Sequence, residues 1–289
     1  MYVIAGVSGN TGSVVADTLL AAGQPVRVIV RDAAKGAPWA ARGAEVAVAS
    51  LDDRAALARA LAGARGAYLL LPPNGFGETD LAAGRKQLAA ALLGAVADAR
   101  PGHVVLLSSI GANHASGTGP IQYVHPLEQG LREIGVPSTF LRASFFMENW
   151  LANAQGAIDA GTLYYGMRSD AKLPQVATPD IGRTAARLLL EGAPRGARVV
   201  QLAGPADLTL PEVAGVLGAI AGKPIAAVTV PREATIGALT GMGASSQVAE
   251  MYADLMDAFN SGRLAWEADH AVERGTVTLE QRLRELLRR

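Results

Sequence analysis

Through the first 142 residues, short apolar runs alternate with longer stretches of helical period. The runs Val3–Val7, Val26–Val30, Glu45–Val48, Ala67–Leu71, His103–Leu107 and Ser138–Arg142 have the length and content of strands. Helical patterns near 12–22, 33–42, 53–62, 78–99 and 124–134 lie between them. Strands joined through helices of this length imply crossover connections and a parallel sheet. Parallel strands buried on both faces should be apolar throughout. Tyr68-Leu69-Leu70-Leu71 and Val104-Val105-Leu106-Leu107 are. In the helix at 78–99, Leu81, Leu88, Leu92 and Val96 form a stripe predicted to lie on the sheet.

After residue 143 the alternation loosens. Residues 144–175 hold aromatics, Gly161 and Gly166, with little regular period. A strand-like Gln175-Val176-Ala177 precedes a helix near 180–191, and Arg198–Leu202 reads as a strand. Thr209-Leu210-Pro211-Glu212 has the cap and early proline of a helix start. A strand at Ala226–Val230 and two or more helices follow. The pattern predicts an α/β protein with a doubly wound parallel sheet of the Rossmann type. Residues 1–150 and about 176–203 are expected to build it. Residues of about 151–175 and 204–289 are expected to form a smaller, mainly helical lobe that binds substrate.

Composition narrows the chemistry. The chain has 289 residues, half of them apolar, and a formal net charge of zero. It lacks the basic excess of a nucleic-acid binder. With no cysteine, disulfides, thiolate metal sites and cysteine nucleophiles are excluded. No apolar run approaches the ~18 residues of a membrane span. Met1–Ala5 reads as a strand rather than a signal peptide, so a cytoplasmic protein is expected. Four scattered histidines without close ligand spacing predict no metal site. A serine-nucleophile GxSxG motif is also missing.

The first strand runs straight into Gly6-Val7-Ser8-Gly9-Asn10-Thr11-Gly12, which opens the first helix. That context is what phosphate binding requires. Gly6 allows the tight turn, Gly9 close approach to a pyrophosphate, and Gly12 close packing of helix on strand. Helix-start amides then face the phosphates, and Ser8, Asn10 and Thr11 can add hydrogen bonds. The second strand ends in Val30-Arg31-Asp32. An arginine at this tip suits the 2′-phosphate of NADP(H), and Lys35 adds charge one helical turn on. Asp32 leaves NAD(H) open. Asp52 is placed for the adenine amino group, while Asp53 reads equally as a helix cap. Leu71-Pro72-Pro73-Asn74 ends the fourth strand, where Leu71 and Pro72 would border the cofactor.

The loop, the Val30-Arg31-Asp32 ending and Ser108-Ser109-Ile110-Gly111-Ala112 resemble the NmrA-like group of atypical short-chain dehydrogenases/reductases. So do Leu141-Arg142 with Phe145-Phe146-Met147-Glu148-Asn149, and Asp180-Ile181-Gly182. Ala143 stands where that family usually has proline. The resemblance covers nearly the whole chain. It implies an NADP(H)-binding core, a cleft under a small lobe, and Ser108 beside the cofactor. It also implies one of two functions. Some members reduce quinones, dyes or conjugated carbonyl-like acceptors. Others bind the cofactor without turnover, as redox-sensing regulators with a protein partner.

Hydride transfer to a carbonyl needs a proton donor near the developing oxyanion. Short-chain dehydrogenases usually supply Ser, Tyr and Lys. Here Ser109 and Tyr123 have suitable spacing, but Leu127 stands four residues after Tyr123 in place of lysine. His125 is the stronger candidate, since imidazole titrates near neutrality and Pro126 suits a helix start. It precedes Glu128, which matches a glutamate of the family. His114 is expected in a flexible exposed loop, and His103 and His270 in structural positions. Phe145, Phe146 and Asn149 are candidates for a pocket around a small planar substrate, with core packing the more frequent role of aromatics in such a segment. A buried structural hydrogen bond is the other reading of Asn149.

Overall fold

A computed structural model describes residues 1–72, 75 and 77–288. In chain order it runs β1 (Tyr2–Ile4), α1 (Gly12–Ala21), β2 (Val26–Val30), α2 (Ala33–Ala40), β3 (Glu45–Val48), α3 (Arg54–Leu61), β4 (Gly66–Leu70), α4 (Leu81–Ala99), β5 (Val104–Ser109), α5 (His125–Ile134) and β6 (Ser138–Ala143). Then follow β7 (Phe145–Phe146), α6 (Leu151–Ala160), β8 (Thr162–Tyr165), β9 (Leu173–Val176), α7 (Thr178–Glu191) and β10 (Ala197–Ala203). The chain continues through β11 (Asp207–Leu208), α8 (Leu210–Ala221), β12 (Ala226–Thr229), α9 (Arg232–Gly241), α10 (Ser246–Asn260), β13 (Val272–Arg274) and α11 (Leu279–Leu287).

Eight strands form one sheet in the order β13-β10-β6-β5-β4-β1-β2-β3. Every pairing in it is parallel. The strand order reverses between β1 and β4, which opens a crevice at their carboxyl ends. Pleating sorts the side chains of each strand onto two faces. Tyr2 and Ile4 join a core with α1 and α7, through Val15, Leu19, Ile181 and Leu189. Val3 and Ala5 join the opposite core with α3, α4 and α5, through Leu57, Leu92, Leu127 and Leu131. Both faces of the sheet are thus covered, which is why its central strands carry no polar alternation. Leu88, Leu92 and Val96 of α4 pack there as the stripe predicts, but Leu81, the first of the stripe, turns away to a separate cluster with Val248 and Met251.

Beyond β6 the sequence pattern was less informative. Helix α6 lies in a stretch with no legible period, because its apolar side is mostly alanine. Strand β9 pairs with β7 and β11 in a separate three-stranded sheet, not with the main one. Strand β13, inside the segment expected to be lobe, returns as the last strand of the main sheet beside β10. The helix at Thr209 starts with a capping box, Thr209 and Glu212 each satisfying the other's backbone amide. Among the described residues no helix is long and apolar enough to cross a membrane.

Candidate cofactor and active site

The Gly6–Gly12 turn leaves the carboxyl end of β1 at the crevice. Two of its glycines, Gly6 and Gly12, have close neighbours. A Cβ on Gly12 would fall 2.5 Å from the carbonyl oxygens of Ala5 and Gly6, and one on Gly6 2.6 Å from Leu70 Cδ2. Gly6 also has a φ of +70°. Ser8, Gly9 and Asn10 are exposed, and the first turn of α1 contains no carboxylate. The Ser13 hydroxyl ties the turn by donating to the Gly9 carbonyl at 2.7 Å. An open, amide-rich turn at a helix start, free of negative charge, fits a pyrophosphate.

At the tip of β2, Arg31 and Lys35 are exposed and have no ion-pair partner among the described residues. Asp32 is already engaged: its carboxylate accepts from the Ala34 amide at 2.9 Å and caps α2. The tip therefore offers two unpaired cations beside an acid that caps α2 through one carboxylate oxygen. Asp53 caps α3 through the Ala56 amide at 3.0 Å. Asp52 stays exposed at the end of β3. Leu71 and Pro72 are half-buried at the end of β4, and the Pro72 carbonyl accepts from Arg85 at 2.6 Å. Pro73 and Asn74 lie outside the described residues.

The end of β5 and the start of α5 converge on Ala112. Its amide donates to the Ser109 carbonyl at 3.0 Å, and its carbonyl meets His125 Nδ1 at 2.8 Å. Bonding to a carbonyl requires Nδ1 to carry the proton. Nε2 is then the atom that can gain and give a second one. Ser109 and His125 are thus each tied to Ala112, and the Ser109 side chain has no partner among the described residues. Tyr123 goes elsewhere: it packs half-buried on Leu81, Val248 and Met251. Leu127 is buried between α4 and the sheet with Leu92 and Leu131. A lysine there would carry an unpaired ammonium into an apolar layer, at a cost of several kcal/mol.

Three expectations need correction. The Ser108 hydroxyl does not face the cofactor crevice; it donates to Glu128 Oε1 at 2.5 Å. Glu128 is fully buried and pairs with Arg142. Burial opposes the Arg142 charge, but the bonds to Glu128 and the nearby Glu267 hold its pKa above the ordinary value. Phe145 is not a pocket wall either. It is buried against Trp150 and Phe259, with ring centroids at 5.4 and 6.2 Å. His114 is half-buried rather than exposed, with Nε2 3.1 Å from the Arg263 carbonyl.

Phe146 is half-buried beside the core that holds Leu70 and Leu107. Asn149 is exposed, so it makes no buried structural bond. Its neighbour Glu148 accepts from the Thr178 amide and hydroxyl at 3.0 and 2.7 Å, closing the start of α7. Asp180 takes the Val277 amide at 2.9 Å and anchors the C-terminal segment. Gly182 lets α7 lie on α1: a Cβ there would fall 2.5 Å from Val14 Cβ. His103 is buried at the start of β5, with Nε2 2.9 Å from Thr139 Oγ1. Burial lowers its pKa to about 4, helped by the charge of Arg198. His270 is half-buried, with its carbonyl accepting from Gln201 at 2.7 Å. No group of three or more His, Asp or Glu among the described residues could hold a metal ion.

The NmrA-like family model matches residues 2–280. An NAD(P)H azoreductase of Xenophilus azovorans is 30% identical over 255 residues, covering 88% of this chain and 86% of the relative. Quinone oxidoreductase 2 of Escherichia coli (strain K12) is 29% identical over 259 residues, with the same two coverages of 88% and 86%. The structure of an NADPH-dependent quinone oxidoreductase from Escherichia coli, complexed with NADPH, aligns with a TM-score of 0.83 at 26% identity. It covers 99% of this chain and 100% of that one.

Proposed function

The chain belongs to the NmrA-like family, and from that premise we propose that it is an NADPH-dependent oxidoreductase acting on a small, planar, apolar acceptor. Quinones and conjugated carbonyl compounds are the acceptor class. The observation that carries the reading is the tip of β2. Arg31 and Lys35 are exposed there without an ion-pair partner among the described residues, free to take a 2′-phosphate. The azoreductase and the quinone oxidoreductase among the relatives support an enzyme over a non-catalytic sensor.

Bound NADPH supplies the hydride. The chain's own residues do the rest. The turn from Gly6 to Gly12 would hold the pyrophosphate at the start of α1, and exposed Asp52 would take the adenine end. His125 keeps Nδ1 on the Ala112 carbonyl and presents Nε2 as the proton-giving atom. Ser109, whose carbonyl holds the Ala112 amide, can donate its hydroxyl to the acceptor oxygen as negative charge builds on it. Leu71, Phe146 and Asn149 border the cleft. No lysine serves Tyr123, so the imidazole is the proton source.

Stopped-flow mixing of the protein with NADPH and a quinone panel tests the reading. NADPH should be oxidised well above the buffer rate with at least one quinone, and NADH should be a poor substitute. Tighter binding of NADH than NADPH, or no oxidation with any acceptor, would overturn it.

A further inference from the structure

His125 is aimed by one contact, the bond from Nδ1 to the Ala112 carbonyl at 2.8 Å. Whatever fixes that carbonyl therefore fixes the imidazole. Ala112 is fully buried, and its core is not that of the main sheet. It belongs to the core of Leu255, Met256 and Ala258 on α10 and of Leu264, on the segment between α10 and β13. Gly111, just before Ala112, has a φ of +80° and lies against Leu264: a Cβ there would clash with Leu264 Cδ2. Two residues after Ala112, the His114 amide donates to the Gly111 carbonyl at 3.0 Å, and His114 Nε2 meets the Arg263 carbonyl at 3.1 Å. A carbonyl can only accept, so Nε2 of His114 carries the proton. The Arg263 guanidinium returns the tie by donating to the Ser116 carbonyl at 3.0 Å. The segment is itself anchored. The Leu264 amide donates to the Ala258 carbonyl at 3.2 Å, and the Gln201 side chain on β10 bonds the Glu267 amide and carbonyl at 2.8 and 3.1 Å. The turn that aims His125 is thus gripped on both sides of Ala112 by a segment 149 positions further along the chain.

We propose that His114 and Leu264 are positioning residues for His125: Leu264 seats Gly111, His114 ties the turn to Arg263, and together they hold the Ala112 carbonyl where Nδ1–H meets it. The consequence for turnover rests on reading His125 as the proton source. The role is indirect, through Ala112, and needs no contact with NADPH or the acceptor. With the carbonyl held, the imidazole stays in the Nδ1–H tautomer and Nε2 remains the atom that takes up and gives a proton. With the grip gone, the carbonyl drifts, and a neutral imidazole can carry its proton on either nitrogen.

Two variants loosen the grip independently, His114→Ala by removing a bond and Leu264→Ala by removing the side chain against Gly111. Nitrogen-15 NMR of histidine-labelled protein, at a pH of about 8.5 where unperturbed imidazoles are neutral, reads the tautomer without turnover. The His125→Asn spectrum assigns the signal. Wild type is expected to show His125 in the Nδ1–H form, and both variants a mixture with the Nε2–H form. In each, kcat should fall about ten- to a hundredfold, the scale of a misplaced reacting group, with the NADPH dissociation constant unchanged. His114→Gln, whose amide nitrogen can donate in place of Nε2, should restore both readings. In a His125→Asn background neither change should lower kcat further. An unchanged tautomer in His114→Ala overturns the proposal. So does an equal loss of kcat in the His125→Asn background, which marks a packing role that bypasses the imidazole. Should Leu264→Ala fail to fold, His114→Ala and its glutamine rescue decide alone. A wild-type chain that oxidises no NADPH with any acceptor overturns the proton-source reading, while the tautomer shift still decides the positioning.

Discussion

Glu128 and Arg142 meet through two parallel contacts, Nε to Oε1 at 2.9 Å and Nη2 to Oε2 at 2.7 Å. The pair joins α5 to β6. Ser108 donates to the same carboxylate, and Arg142 extends to Glu267 near the C-terminal end of the chain. Every polar atom of this buried group thus serves a structural contact. Removing one partner strands the other in a low dielectric. Glu128→Ala is expected to cost about 3–5 kcal/mol of unfolding free energy in urea. The double variant Glu128→Met/Arg142→Met should lose less than Glu128→Ala alone, because no charge is left unpaired between them. A double variant as unstable as the single would show that the pair contributes more than charge balance.

Arg31 and Lys35 should set the choice between cofactors. Each charge-assisted bond to a phosphate is worth about 1.5–3 kcal/mol. Arg31→Ala or Lys35→Ala alone is therefore expected to weaken NADPH about ten- to a hundredfold, and the double variant more, while NADH is left nearly unchanged, as read by fluorescence titration. The NADPH affinity of the wild type should also fall with salt, and that dependence should shrink in the variant. Equal losses for the two cofactors would place the 2′-phosphate elsewhere.

His125 should act on turnover and not on cofactor affinity. Replacing a general acid costs about a hundredfold or more in rate. His125→Asn is expected to lower kcat on that scale with the NADPH dissociation constant unchanged. Because Nδ1 also holds Ala112, a thermal unfolding scan of the variant separates lost chemistry from a loosened turn. An unchanged kcat would assign the proton to solvent.

His103 should make stability depend on pH. It is only 1% exposed, and its pKa is about 4 in the folded chain against 6.5 for the free side chain. Between those values the unfolded chain binds a proton that the native chain refuses. Stability is therefore fully present above pH 6.5 and falls as the pH drops toward 4. The slope is ~1.4 kcal/mol per pH unit, or about 3 kcal/mol in all. His103→Gln should remove that part of the slope in unfolding curves measured across the range. Parallel curves for wild type and variant would show that the imidazole charges without unfolding.

The sheet was legible because its strands are apolar on both faces, which leaves few other folds for such runs. The cofactor turn was legible for a related reason: three glycines between a strand and a helix have little other use, and close contacts at Gly6 and Gly12 account for two of them. The departure at Leu127 was visible too. Its cause was not, since only the packed structure shows that position facing Leu92 and Leu131. Phe145 and Phe146 differ by one residue, yet one lies in an aromatic cluster and the other near the sheet end. Strand pleating separates them, and the sequence carried no period there to say which was which.

The chain by itself determined what is local: apolar period, the strand–turn–helix with its glycines, and cations following β2. These depend on neighbours in sequence, and their physics is the same in any fold that contains them. The tertiary structure decided what polar groups do once buried. Ser108 went to Glu128, Asp32 to a helix cap, and the Tyr68 hydroxyl to Thr11 across 57 positions of chain. A buried donor must find an acceptor, and which acceptor it finds depends on strands that meet only after folding.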